Sequence, residues 1–221
     1  MLTKSPTMRV AMMVATYSAI RSALIEAGYG SEFEWQKSLR FEELTETAFL
    51  REYAWVVLCS GMRESVVRRC FPHVTSSFGG WQSAEDIARD AEMCRRRALG
   101  CFGHRGKVDA ILKTAARLGA QGFATFRASL EVDPLRELRR LDYIGPITVY
   151  HLAKNIGIQV AKPDRHLARI CKASGYPDVH SLCSQLSALT GDPVPVVDLV
   201  LWRFATVCPD YTKYFDPCSV A

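Results

Sequence analysis

Apolar residues recur three and four positions apart along most of this chain, the spacing of helices that bury one face. Val108, Ile111, Leu112, Ala115 and Leu118 form one such face within 107–119. The same period predicts helices over 10–27, from Thr45 or Thr47 to 60, and over 64–71, 84–99, 123–130, 165–174, 179–189 and 194–207. Ser83 with Asp86 reads as a cap opening 84–99, and Pro134 sits in the first turn of a helix ending near Leu141. Gly28 with Gly30, Gly61, Gly79 with Gly80, Gly103 with Gly106, Gly175 and Gly191 mark the breaks, and Phe33, Trp35 and Phe41 lie in a mixed aromatic stretch between helices. No two-residue alternation lasts long enough for a sheet. The expected fold class is all-α, with about ten helices.

With 221 residues the chain is long enough for one large domain or two small ones, and 48% hydrophobic residues supply a sizeable core. The net charge of +5 permits a polyanionic partner without requiring one. Arg95, Arg96, Arg97, Arg105, Lys107, Arg136, Arg139 and Arg140 crowd the middle of the chain, as a binding surface or as solvated helix faces. No segment is expected to span a membrane. Lys4 and Arg9 precede an apolar run, but no small-residue cleavage site follows, so a first core helix in a cytoplasmic protein is expected. None of the eight cysteines forms a C-x-x-C pair, which favours reduced thiols over metal ligation.

The segment 141–169, LDYIGPITVYHLAKNIGIQVAKPDRHLAR, carries the candidate chemistry. Leu138 and Leu141 on one side and Val149 and Leu152 on the other can pack while the chain reverses at Gly145. N–H groups opening the second helix lack intrahelical partners and carry the positive end of the helix dipole, which suits a phosphodiester. Pro146 has no N–H, so the donors would be Gly145, Ile147 and Thr148; an ordinary αα turn explains the same residues. About twenty residues on, Pro163-Asp164 opens another helix. Asp164 either only caps that helix or offers a fixed anion that steadies a cationic sugar or orients a water.

Together, L-D-Y-I-G and P-D-R-H-L-A-R-I resemble the helix-hairpin-helix DNA glycosylase superfamily, whose L-P-G-[IV]-G hairpin precedes an Asp at a helix start. His166 and Arg169 stand in family-like places, and the resemblance extends over 45–207, more weakly upstream through 102–108 and 53–63. It implies two helical subdomains with a DNA-binding cleft between them, 1–44 with 158–221 and a barrel-like 45–157 that carries the hairpin at 141–148. It implies a monofunctional hydrolase that flips out a damaged or modified base, cuts its N-glycosidic bond and leaves an abasic site. Asp164 takes the catalytic place and Gly145 that of the hairpin glycine. Ile147 stands where bifunctional members carry a Schiff-base lysine; Lys154 and Lys162 lie off that position. The carbonyls of Arg139, Leu141 and Ile144 match those that hold a sodium or potassium ion. Asp142 and Tyr143 replace the usual Pro-Gly.

Met62 or Arg63, in the place of the intercalating loop, would act as a wedge, with a plain helix break as the alternative for Met62. Lys107, with His104 and Arg105, would touch phosphate or form a solvated turn. Trp35, Glu52 and Tyr53 are the base-pocket candidates, while Tyr17, Phe33, Trp55 and Trp202 suit a core as well as a pocket. The expected partner is double-stranded DNA, bound by a monomer without organic cofactor. Cys171, Cys183, Cys208 and Cys218 lack the spacing of an iron–sulfur cluster. The base stays open: alkylated, deaminated or mismatched in repair, or hypermodified in viral DNA, where cleavage would serve defence. A non-catalytic helix-hairpin-helix DNA-binding module is the other reading.

Overall fold

The computed structural model describes residues 6–216, which form thirteen α-helices and no strand. In chain order these are α1 (Pro6–Leu24), α2 (Gly30–Ser38), α3 (Glu46–Cys59), α4 (Glu64–Ser77), α5 (Ala84–Arg89), α6 (Ala91–Leu99), α7 (Arg105–Gln121), α8 (Phe123–Val132), α9 (Pro134–Leu138), α10 (Thr148–Asn155), α11 (Arg165–Ser174), α12 (Val179–Thr190) and α13 (Val194–Val207). The protein is all-α. It divides into two compact units, one of residues 1–39 and 157–221 and the other of residues 40–156. Lys4 and Cys218 lie outside the described residues.

The first unit is built around α13, whose Val196, Val197, Val200 and Leu201 are fully buried. They share a core with Met13, Tyr17, Ile20 and Leu24 of α1, Phe33 of α2, Leu167 and Ile170 of α11, and Leu182 and Leu186 of α12. Polar ties close its edges. The Tyr17 hydroxyl donates to Asp192 at 2.7 Å, and the Arg203 guanidinium grips Glu32 with bonds of 2.7–3.0 Å. That guanidinium also lies 4.8 Å from the Tyr29 and Trp202 ring centres, a cation–π arrangement.

The mixed aromatic stretch read as lying between helices is itself largely helical. Gly28, at φ 92°, turns the chain through the wide turn Ile25–Tyr29, and a helix restarts at Gly30 with Phe33 inside and Trp35 40% exposed. The composition also differs from expectation in one respect. Thr7–Ser38 holds an 18-residue window long and apolar enough to cross a membrane by length and composition, although Arg9, Arg21, Glu26, Glu32, Glu34 and Lys37 punctuate the whole stretch. Met13, Tyr17, Leu24 and Phe33 of this stretch are buried in the core of the unit, while Trp35 is left exposed.

In the second unit α3 is the central helix. Thr45 caps it, accepting from the Ala48 amide at 3.2 Å. Phe49, Leu50, Tyr53, Ala54, Val57 and Leu58 are fully buried, and the Phe49 ring meets Phe126 edge-on at 4.7 Å. Helix α5 crosses α7 so closely that a Cβ on Gly119 would lie 3.2 Å from the Glu85 Cα. Boundaries differ from the periodic reading in three places. α4 continues through Pro72 to Ser77, because Phe71 and Val74 are both buried and packing outweighs the bond that proline removes. The helix expected over 84–99 breaks at Asp90, where the backbone leaves helical geometry (φ −99°, ψ 24°). α9 stops at Leu138, three residues short of the expected end, and the chain runs on in turns.

Tyr53 links α3 to those turns: its hydroxyl lies 3.3 Å from the Ala110 carbonyl and 3.1 Å from that of Asp142. Removing only this oxygen, as Tyr53→Phe, is expected to cost about 1–3 kcal/mol because buried carbonyls lose their donor. Urea denaturation of the two proteins side by side measures it, and an unchanged midpoint would show the hydroxyl to be idle.

Candidate functional site

The chain between α9 and α10 reverses through a stack of short-range bonds. Leu141 N–H donates to Leu138 O at 3.1 Å, Ile144 N–H to Leu141 O at 3.2 Å, and Val149 N–H to Gly145 O at 3.0 Å. Tyr143 takes φ 65°, the left-handed region, at the position where the L-P-G-[IV]-G pattern has glycine. A side chain there costs roughly 1–2 kcal/mol. Neighbouring contacts hold the conformation: Lys113 pairs with the Asp142 carboxylate at 2.9 Å, Tyr53 reaches the Asp142 carbonyl, and the Tyr143 ring stands 6.0 Å from His104, edge to face. The Tyr143 hydroxyl occupies the space a Cβ on Gly106 would need, at 2.6 Å, so Gly106 is what admits the ring.

Of the three backbone donors expected here, two are available. The Gly145 N–H is taken: it donates to Thr148 Oγ1 at 2.7 Å. That hydroxyl turns back to the Tyr143 carbonyl at 3.2 Å, so it braces the turn from inside. Among the described residues nothing accepts from the N–H of Ile147 or Thr148, at the start of α10. The Ile147 side chain is 41% exposed beside them. The carbonyls of Arg139 and Ile144 accept no backbone hydrogen bond among the described residues, while that of Leu141 receives the Ile144 N–H.

Asp164 is the N-cap of α11. Its backbone is extended (φ −84°, ψ 175°), and its Oδ1 accepts from the amides of His166 at 2.9 Å and Leu167 at 3.2 Å. Oδ2 faces the Lys162 ammonium at 3.5 Å, and the carboxylate side chain is 12% exposed. One oxygen is therefore pinned by the helix and the other is left with a loosely held cation. The residues before it form a tight turn about Pro163, with the Asp164 N–H on the Lys162 carbonyl at 2.8 Å. The Lys162 N–H in turn donates to the Asp198 carboxylate at 2.6 Å. His166 follows in the first helical turn, 3.3 Å from the Tyr211 hydroxyl through Nδ1 and accepting from Arg165 on Nε2 at 3.3 Å. Burial lowers its pKa below the ordinary imidazole value, with the Asp164 charge opposing.

Several expected site residues stand elsewhere. Lys107 is 2% exposed, and its ammonium donates inward to the Leu58 carbonyl at 2.8 Å and to that of Ser60. It satisfies the orphan carbonyls ending α3 rather than a phosphate. Tyr53 is fully buried, and its hydroxyl serves the turn. Glu52 is 6% exposed, paired with Arg51 and accepting from the Asn155 amide at 2.9 Å, which ties α3 to the end of α10. Lys154 is 6% exposed, while Lys162 is committed to Asp164.

Met62 and Arg63 are exposed at the turn between α3 and α4, where sequence placed them. Met62 lines a surface groove with Val66, Arg69, His73, Phe102 and His104, which contains no carboxylate. The seven described cysteines are free, and no cluster of three or more His, Cys, Asp or Glu among the described residues is arranged to hold a metal.

Sequence reasoning missed Asp198 and the side chain of Thr148. The signal for the first was present: one acid stands within the apolar run V-V-D-L-V of α13 and is 1% exposed. Thr148 left no signal, because a hydroxyl three residues after a glycine is compatible with many turns. Compared with protein-family models, curated proteins and solved structures, the chain matches none.

Burial raises the Glu52 pKa above its ordinary value, with Arg51 and the Asn155 amide opposing. A carboxyl whose pKa is higher folded than unfolded stabilises the fold fully below the unfolded value, and that contribution is lost as pH rises through the folded one. Glu52→Gln keeps an acceptor for Asn155 and cannot ionise. Its melting temperature relative to the native chain should therefore climb as pH is raised from about 4.5 towards neutrality. A difference independent of pH would contradict this.

Proposed function

We propose that the protein is a monofunctional DNA glycosylase of the helix-hairpin-helix kind, acting on double-stranded DNA as a cytoplasmic monomer. The observation that carries the reading is the state of Asp164: a carboxylate oriented by two backbone amides, with Oδ2 left only a lysine at 3.5 Å. In this reading α9, the turn and α10 form the hairpin, and the Ile147 and Thr148 amides hold a phosphodiester of the target nucleotide. Those contacts read no base, so they position the strand and leave selection to a pocket around the extruded base. The Arg139, Leu141 and Ile144 carbonyls are neutral, hard oxygen donors of the kind that suits sodium or potassium, whose bound charge would supply attraction for the phosphate.

Asp164 then acts on the sugar. As the N-glycosidic bond breaks, positive charge develops at C1′ and the ring oxygen, and a fixed anion nearby lowers that barrier without reorganising. Oδ2 is also the oxygen able to orient a water or take its proton, giving an abasic site and the free base. Ile147 cannot attack C1′, and the buried Lys154 is no substitute. Met62 or Arg63 would fill the space vacated by the flipped nucleotide. A non-catalytic DNA-binding module is the second reading, favoured by the Lys162–Asp164 pair: a carboxylate with both oxygens partnered serves as a structural cap.

Duplex oligonucleotides carrying alkylated, deaminated, mismatched and hypermodified viral bases, followed by alkali, separate these readings. The native protein should produce alkali-labile strands from at least one of them. Asp164→Asn, which preserves an N-cap, should lose release by about 10²–10⁴-fold while binding the same DNA with unchanged affinity. Undiminished release by that variant would remove Asp164 from the mechanism. Borohydride added during turnover should trap no protein–DNA adduct, and a trapped species would overturn the monofunctional assignment.

A further inference from the structure

The catalytic reading uses one carboxylate of the first unit, yet a second is more deeply buried and tied to the same stretch of backbone. Asp198 lies in the second turn of α13, 1% exposed, among valines and leucines that make up the core of the unit. Ionisable groups are rarely left there without a task. Its Oδ2 accepts from the Lys162 N–H at 2.6 Å, a short, charge-assisted bond. The carbonyl of that same Lys162 accepts from the Asp164 N–H at 2.8 Å. The segment before α11 is thus held at both faces of one residue: by α13 at its amide and by Asp164 at its carbonyl. Pro163, with φ locked, leaves little freedom between them. The Lys162 side chain comes from the residue so clamped and reaches Asp164 Oδ2.

We propose that Asp198 is a positioning residue for Asp164: it anchors the Lys162-Pro163-Asp164 turn to the core, so that Oδ2 and the Lys162 ammonium keep fixed places when a nucleotide arrives. The acceptor oxygen matters more than the volume of the side chain. Displacing an acting group by about an ångström costs rate by up to about 10²-fold, while DNA affinity, which depends on phosphate contacts elsewhere in the chain, stays as it was. The kinetic half of this inference rests on the glycosylase reading; the structural half does not.

Asp198→Asn keeps an oxygen for the Lys162 amide, whereas Asp198→Leu keeps the volume and removes the acceptor. Amide hydrogen exchange by NMR should find the Lys162 and Asp164 amides protected in the native protein and in the Asn variant. In the Leu variant both should exchange about 10²-fold faster, with α12 protection unaltered. Single-turnover base release should be nearly native for Asn and about 10–100-fold slower for Leu, at equal DNA affinity. Should the Leu variant not fold, Asp198→Ala carries the same comparison. Unchanged exchange at Lys162 in the Leu or Ala variant would overturn the clamp, as would equal rate losses in the Asn and Leu variants. Should the native protein release no base from any duplex, the glycosylase reading falls, and the exchange measurement alone decides whether Asp198 anchors the turn.

Discussion

The first-turn amides of α11 need acceptors, and Asp164 supplies one oxygen to two of them. Much of the local arrangement follows from that satisfaction of orphan donors. The cap fixes Oδ1 at the start of the helix, leaves Oδ2 to Lys162, and sets His166 two residues on, against Tyr211. Upstream, the turn about Pro163 and the Asp198 bond restrict the path by which the chain reaches the cap. The carboxylate is thus held from both sides of its own turn, by the amides that follow it and by the chain path that precedes it.

The turn between α9 and α10 shows a comparable economy of parts within the other unit. Tyr143 stands in a conformation better suited to glycine, and the contacts that keep it there come from α3 and α7. Such strain persists where the surroundings over-determine the backbone. Thr148 closes the reversal by taking the Gly145 N–H, and among the described residues the N–H groups of Ile147 and Thr148 have no acceptor. The turn therefore presents a narrower set of donors than its glycine alone would suggest, and these open an eight-residue helix, α10.

Cations in this chain separate by burial rather than by sequence neighbourhood. Lys107 spends its ammonium on the carbonyls that end α3, and burial lowers its pKa. Lys154 is likewise buried, whereas Lys162 is partly exposed and pairs with the Asp164 carboxylate at 3.5 Å. The groove beside Met62, lined by Arg69, His73 and His104 without an acid, adds a surface compatible with a polyanion.

Helical period and local punctuation were enough to establish the all-α class, the caps at Ser83 and Asp164, a choice of Thr45 or Thr47 for α3 and the bounds of α13, because each depends on residues within a few positions of one another. The helix through Pro72 and the restart at Gly30 escaped that reading, since burial of Phe71, Val74 and Phe33 outweighed the local signals, and the break at Asp90 left no such signal in the periodicity. Among candidate site residues, Asp164 and the exposed Met62 and Arg63 were legible as local features. The inward turn of Lys107, the burial of Tyr53 and Glu52, the Thr148 bond that claims Gly145 and the hold of Asp198 on Lys162 were decided by the fold. A side chain's partner is set by what lies opposite it in space, and residues 36 positions apart, like Lys162 and Asp198, carry no spacing that announces their meeting.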